Sequence, residues 1–279
     1  MIADCSSGIG YDFLMPLAPW ESAAVLEQAL YSLRRQTLLP QLLVVSADGA
    51  LPESLRDVVL AAGIPVKLVE GPGGEGVGPV LARGLLACEQ DLVVRVDADD
   101  VSLPHRCAHQ VERMQADSRL AALSGLIMEF DSDPRFGLGI RAVPVLAQAI
   151  WSARAWRNPM NHPAVILRRS AVLAVGNYRC KPGFEDYDLW LRLLKRFGVK
   201  ALANSEQVLV HARVGRAHLA RRHGWRYAGS ECAFYMVCCR EGLMPPYSAI
   251  LALLLRLPLR ILPVPLLASL MAWLRRSSV

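Results

Sequence analysis

The sequence predicts an α/β chain, a mainly parallel sheet with helices on both faces, followed by a basic, leucine- and proline-rich helical extension. Three observations predict it. Short apolar runs alternate with amphipathic stretches through the first hundred residues. The ends of those runs are polar and glycine-rich, as at the ligand-binding rim of an open parallel sheet. Charge and composition then change near Gly215. With 279 residues, 53% of them hydrophobic and 20% charged, the chain can bury a large core, which excludes disorder.

Residues 12–16, 41–46, 65–69 and 91–96 read as strands; residues 21–37, 52–62 and 78–88 read as the helices between them. Strands separated by helices describe successive βαβ units. Residues 103–116 continue as a helix, 120–130 as a strand, 144–155 as a helix, 164–167 as a short strand and 186–197 as an amphipathic helix. A boundary near Gly215 divides a body over residues 1–215 from an extension over 216–279.

The net charge of +6 conceals that division. From His211 onward there are ten basic and two acidic residues, leaving 21 basic against 23 acidic before it. A basic tail on a mildly acidic body points the tail toward an anionic surface. Seven cysteines without a C-x-x-C pair indicate neither a disulfide framework nor a structural zinc site, and fit a reducing cytosol. The first ten residues do not read as a signal peptide.

Four constellations carry chemistry. In Arg95-Val96-Asp97-Ala98-Asp99-Asp100 an apolar strand delivers three carboxylates to the rim. Hard oxygen donors of this kind suit Mg²⁺ or Mn²⁺; a solvated acidic turn is the competing reading. Glu185-Asp186 at a helix start is either a favourable charge against the helix dipole or a general base beside an acceptor hydroxyl. Gly71-Pro72-Gly73-Gly74-Glu75-Gly76 matches G-x-G-x-x-G, but it follows the third strand rather than the first and reads as a loop beside the ligand. Finally, Asn158-Pro159-Met160-Asn161-His162-Pro163 precedes a strand, and His211 ends an apolar run where it could add a third metal ligand.

Taken together and in order, residues 33–40 (LRRQTLLP), 95–106 (RVDADDVSLPHR), 129–131 (EFD), 158–165 (NPMNHPAV), 185–192 (EDYDLWLR), 208–215 and 221–231 are similar to the family-2 glycosyltransferases. Those are inverting enzymes with the GT-A fold, and the resemblance is to their exopolysaccharide and O-antigen, amylovoran-type branch. It implies that Asp99 binds a divalent cation, Mn²⁺ or Mg²⁺, with Asp97 beside it and His211 as a further ligand. Asp48, Asp97, Arg95 and Arg83 would bind a nucleotide diphosphate sugar, and Asp186, with Glu185, would supply the general base. Asn161, His162, Asp188 and Trp190 would lie on the side of the acceptor, a lipid-linked glycan. Where the family carries two acidic residues before a glycine, this chain has Ala47-Asp48, and Ala18, Gly74 and Ala82 also depart from its pattern.

The extension contains residues 248–274, whose uncharged stretches are too short to span a bilayer. Pro258, Pro263 and Pro265 are expected to break any long helix, and Arg256 and Arg260, four apart, to meet anionic headgroups. The expected location is therefore cytoplasmic and peripheral on the inner membrane. A helical pair packed on the body is the alternative for this segment. For the whole chain the alternatives are a sugar nucleotidyltransferase, disfavoured because residues 15–21 lack the glycines and lysine of a triphosphate loop, and a basic nucleic-acid-binding module, disfavoured because no such motif accompanies residues 216–226.

Overall fold

The computed structural model describes residues 10–214 and 224–262. Strands β1 (Tyr11–Leu17), β2 (Leu42–Ala47), β3 (Val66–Glu70) and β4 (Leu92–Arg95) alternate with helices α1 (Ala23–Arg34), α2 (Glu53–Leu60) and α3 (Val77–Ala87). The strands pair in parallel in the order β3-β2-β1-β4. Their carboxyl ends therefore open on one rim. Nearly every residue of β1 and β2 is buried, because helices cover both faces. Leu26 and Leu30 of α1 and Leu55 and Val59 of α2 pack on one face, Leu81 and Leu85 of α3 on the other.

The second half is mixed rather than parallel. It comprises β5 (Val101–Ser102), α4 (Arg106–Ala116), β6 (Ala122–Phe130), β7 (Gly137–Arg141), α5 (Ala147–Ala153), β8 (Ile166–Arg168), α6 (Arg169–Ala174), α7 (Glu185–Phe197) and β9 (Leu202–Arg213). β8 joins β4 and β6 antiparallel to both; β9 runs parallel to β6, and β5 and β7 are antiparallel additions. The run of successive parallel strands expected from the sequence is thus confined to the first four, with β6 and β9 a further parallel pair in a mixed second half. The link from β6 to β7 is too short for a parallel crossover, so the chain must turn back on itself. Only part of β9 stood out as an apolar run, because Asn204, Ser205, Glu206 and Gln207 interrupt it; Asn204 and Ser205 are nevertheless buried.

Helix α7 joins the layers. Glu185, Asp186 and Asp188 in its first turn and Lys195 and Arg196 in its last match the helix dipole, and Gly198 ends it at φ 81°. Leu189, Trp190, Leu193 and Leu194 enter the core under α3. Tyr187 and Leu191 enter a second core, formed with α8 (Trp225–Arg240) and α9 (Pro246–Ile261).

The extension thus begins as an antiparallel helical pair packed on the body, and the boundary near residue 215 lies outside the described residues. Arg256 and Arg260 do not face headgroups. Both bond the fully buried Glu231 of α8, at 2.5 and 2.9 Å, because that carboxylate has no access to water. Pro258 does not end α9 either; the helix runs on to Ile261. Pro263 and Pro265 lie outside the described residues. Among the described residues no helix is long and apolar enough to cross a membrane.

Candidate active site

The site is built on the carboxyl end of β4. Its four residues are buried, and the chain then leaves the sheet with Asp97, Asp99 and Asp100 grouped so that one carboxylate oxygen from each lies within 4.8 Å of the others. Arg106, fully buried, fixes this turn from beneath, donating from Nη2 to the Arg95 carbonyl at 2.7 Å and from Nη1 to Ser102 Oγ at 2.9 Å. Arg213, from the end of β9, fixes it from the side. Its backbone N–H donates to Asp100 Oδ1 at 2.8 Å and its Nε to the Asp99 carbonyl at 3.2 Å.

Three converging carboxylates repel one another. Burial, then the charges of Asp97 and Glu21, push Asp99 up to about 6; burial, Asp97 and Asp99 push Asp100 well above the ordinary carboxylate range. A bound divalent cation would remove that repulsion, and the donor set is all hard oxygen, so the residues present fit Mg²⁺ or Mn²⁺. Asp97 is also held by the buried guanidinium of Arg95, whose Nε has no hydrogen-bond partner. His211 is not in the cluster: its Nδ1 meets the Pro134 carbonyl at 3.0 Å.

The glycine loop after β3 forms the neighbouring wall. Asp48 Oδ1 accepts from the Glu75 N–H at 2.9 Å and Oδ2 from the Gly76 N–H at 3.4 Å. Arg83 clamps the same loop, bonding Glu75 at 2.5 Å and the Ala47 carbonyl at 2.8 Å. Gly49 and Gly73 cross closely, each with positive φ (112° and 89°), and a Cβ on Gly49 would lie 3.3 Å from the Gly73 Cα. Asp48 and Arg83 therefore shape the loop through contacts within the chain.

Glu185 and Asp186 close the site from α7. A Cβ on Gly78 would lie 2.4 Å from the Arg179 carbonyl oxygen and 3.4 Å from Glu185 Cβ, so a glycine is needed where α3 starts beside α7. Asn158 Nδ2 donates to Asp186 Oδ2 at 2.6 Å, and the Tyr187 N–H to Oδ1 at 2.7 Å. Glu185 Oε2 is buried without a hydrogen-bond partner. Burial first, and the Asp186 charge second, push Glu185 up to about 7. A buried carboxylate with an orphaned oxygen and a displaced pKa, beside an acidic neighbour in a cleft, is a candidate functional group. The buried Tyr178 phenol feels the charges of Arg95, Asp97, Glu185 and Asp186, which puts the acidic cluster and the Glu-Asp pair in one electrostatic neighbourhood.

The residues expected on the acceptor side are placed otherwise. His162 is buried, with Nε2 2.9 Å from the Tyr178 hydroxyl, and burial and Arg95 hold its pKa well below the ordinary histidine value. Asn161 is buried and donates to the Gly125 and Arg141 carbonyls, at 2.9 and 3.0 Å. Trp190 is fully buried, edge-on to His162. Asp188 is fully buried too, bonded to Arg192 Nε at 2.7 Å. Position along α7 explains the last two: Asp188 and Trp190 follow Glu185 and Asp186 by three and four residues on the same side of the helix, one turn further in, where every residue from Tyr187 to Leu194 is buried. Asp188→Ala would leave the buried Arg192 guanidinium without its counter-charge and is expected to cost about 3–5 kcal/mol in urea unfolding, with acceptor affinity unchanged in the folded fraction.

The sequence profile described as "Glycosyl transferase family 2" matches residues 20–176. The chain belongs to glycosyltransferase family 2. An uncharacterized glycosyltransferase of Haemophilus influenzae is 34% identical over 93% of this chain and 97% of its own length. The amylovoran biosynthesis glycosyltransferase AmsE of Erwinia amylovora is 31% identical, covering 91% and 95%. A UDP-Gal:alpha-D-GlcNAc-diphosphoundecaprenol beta-1,3-galactosyltransferase of Escherichia coli is 29% identical, covering 91% and 92%. Among solved structures, a mannosyltransferase of Pyrobaculum calidifontis in complex with GDP-Man and Mn²⁺ superposes with a TM-score of 0.63 at 19% identity, over 95% of this chain and 79% of that one. The fold of this family-2 enzyme is accordingly the GT-A fold of nucleotide-sugar transferases, as the motifs implied.

Within that frame, Asp100 is a third member of the acidic cluster, visible in the sequence as the last residue of the Asp97–Asp100 run. Tyr178 and Arg213 gave no local signal, because each acts from a distant segment. Asn158 stands in a polar stretch noted from the sequence, but its bond to Asp186 depends on the fold.

Proposed function

We propose that this enzyme is an inverting, divalent-cation-dependent glycosyltransferase that moves a sugar from a nucleotide diphosphate sugar to a hydroxyl of a lipid-linked glycan, in exopolysaccharide, capsule or O-antigen synthesis, as a peripheral protein of the cytoplasmic membrane face. The observation that carries the reading is the pairing of two acidic groups of different kind: a cluster of three carboxylates at the end of β4, and a Glu-Asp pair at the start of α7. The activity for which the Escherichia coli relative is named, on a diphosphoundecaprenol-linked acceptor, supports the acceptor class, and the GDP-Man and Mn²⁺ of the Pyrobaculum structure support the donor and cation.

Asp97 and Asp99, with Asp100, would hold the cation, which when bound supplies Lewis-acid stabilisation of charge on the leaving diphosphate. The loop held by Asp48 and Arg83 lines the donor side, and Arg95 orients Asp97. Asp186 takes the proton from the acceptor hydroxyl as its oxygen attacks the anomeric carbon on the face opposite the diphosphate, so configuration inverts and no covalent nucleophile is needed. Asn158 fixes the carboxylate for that transfer.

A panel of UDP-, GDP- and dTDP-sugars, tested with Mn²⁺ by thermal shift and by release of nucleoside diphosphate, tests the reading. At least one donor is expected to stabilise the folded protein and to be slowly hydrolysed, since a ligand that binds only the native state raises its melting temperature. No stabilisation and no hydrolysis across the panel overturns it.

A further inference from the structure

Helix α9 is amphipathic with its sides reversed. Tyr247, Ile250, Leu251, Leu254 and Leu255 recur at helical spacing, and all five face outward, between 52% and 75% exposed. The face turned to the protein carries the small residues Ala249 and Ala252 and the partly buried Leu253, together with Arg256 and Arg260 in their bonds to Glu231. A helix stabilised in water by tertiary packing does the opposite, burying its large apolar side chains. A contiguous apolar face of this size marks an interaction surface.

The observations identify what covers it. Over the described residues 224–262 the helical pair carries four arginines, Arg226, Arg240, Arg256 and Arg260, against two acidic residues, Glu231 and Glu241. Both acidic ones are engaged inside the protein, Glu231 by Arg256 and Arg260 and Glu241 by Arg179 at 2.7 Å. The described helical pair is therefore net positive. A second copy would bring like charge against like, whereas anionic lipid supplies both an apolar interior and a negative surface. A groove of about 300 Å³ between α8 and α9, lined by Met236, Ile250 and Leu253 with Arg240 among its residues, fits an acyl chain with its phosphate at the guanidinium.

We propose that the outward ridge of α9, with the α8–α9 groove, seats the enzyme on an anionic bilayer, and that the helical pair fixes the catalytic pair relative to that bilayer. The link is direct. Arg256 Nη1 donates to the Trp156 carbonyl at 3.2 Å, Trp156 is itself half-exposed, and two residues on Asn158 holds Asp186. Phe184, immediately before Glu185, stacks on Phe234 of α8 with ring centroids 4.6 Å apart. The arginine pair is thus an internal clamp and the hydrocarbon ridge is the contact. This rests on the membrane-facing reading above, but it does not depend on the chemistry.

The test is co-sedimentation of the full chain with phosphatidylcholine vesicles, with and without 30 mol % phosphatidylglycerol, for wild type, Ile250→Glu/Leu254→Glu, Arg240→Glu and the exposed control Leu60→Glu. The double variant is expected to bind anionic vesicles roughly 100-fold more weakly or not at all, at an unchanged melting temperature, because two exposed apolar side chains are lost from the contact. Arg240→Glu is expected to weaken binding to anionic vesicles alone, and Leu60→Glu to change nothing. Wild-type binding by the double variant overturns the proposal. So does a wild-type dimer in light scattering that the double variant abolishes while vesicle binding is absent. Donor hydrolysis in detergent-free buffer is expected to survive in the double variant, so failure of the docking surface and failure of the transferase reading give different results.

Discussion

Asp99→Ala is expected to reduce sugar transfer by about 10³-fold or more while making the metal-free protein more stable. Both effects have one source. The Asp99 carboxyl is pushed up to about 6 by burial and by its acidic neighbours Asp97 and Glu21. Its unfolded value is near 3.8, so the folded state binds the proton more tightly. Asp99 therefore burdens the fold progressively as pH rises from about 4 through 6, and carries its full penalty, on the order of 3 kcal/mol, at pH 7.5. Alanine removes that penalty. Saturating Mn²⁺ is expected to reverse the order, because only the wild type gains the stabilisation of a ligand bound to the native state. Melting temperatures at pH 7.5, with chelator and with Mn²⁺, read both signs. An Asp99→Ala protein that keeps its activity and its Mn²⁺-dependent shift would refute the assignment of this cluster.

How much of this was legible in the sequence follows from which forces act locally. The first four strands were readable because parallel strands buried on both faces are near-continuous apolar runs, and because the acidic and glycine-rich segments that follow them are local in sequence. The mixed half was not, since the pairing of β8 between β4 and β6 is decided by packing. Asp188 and Trp190 show the limit best. They stand within five residues of Asp186 in a motif read as one functional unit, yet one turn further along α7 the helix is buried on all sides, and there Asp188 meets Arg192. Arg256 and Arg260 show it again. Their spacing revealed a shared helix face, but the buried Glu231 they neutralise lies on another helix. Adjacency and periodicity could be read; the partners across the fold could not.

The Glu-Asp pair separates into two roles that pH distinguishes. Asp186→Asn is expected to lower kcat by roughly 10³-fold at every pH, since an amide cannot take the acceptor proton. Glu185→Gln is expected to keep most of the activity and to leave the acid limb of the kcat/KM profile in place, because a Glu185 pushed up to about 7 is already neutral at the pH values below it. Stability supplies the independent readout. Burial and Asp186 push Glu185 from about 4.5 up to about 7, so its contribution to folding is retained below pH 4.5 and lost as pH rises through 7. Glutamine, neutral throughout, is expected to match the wild type near pH 4.5 and to exceed it by on the order of 3 kcal/mol at pH 8.5. If instead Glu185→Gln abolished transfer while Asp186→Asn retained it, Glu185 would be the base, and the acid limb of the wild-type profile would then fall near pH 7, the value to which its burial has pushed it. The asymmetry of hydrogen bonding argues for the first outcome. Asp186 accepts from Asn158 and from the Tyr187 N–H and is oriented for a proton transfer, whereas Glu185 leaves Oε2 buried and unpartnered, at a cost to stability that persists beside the oriented base.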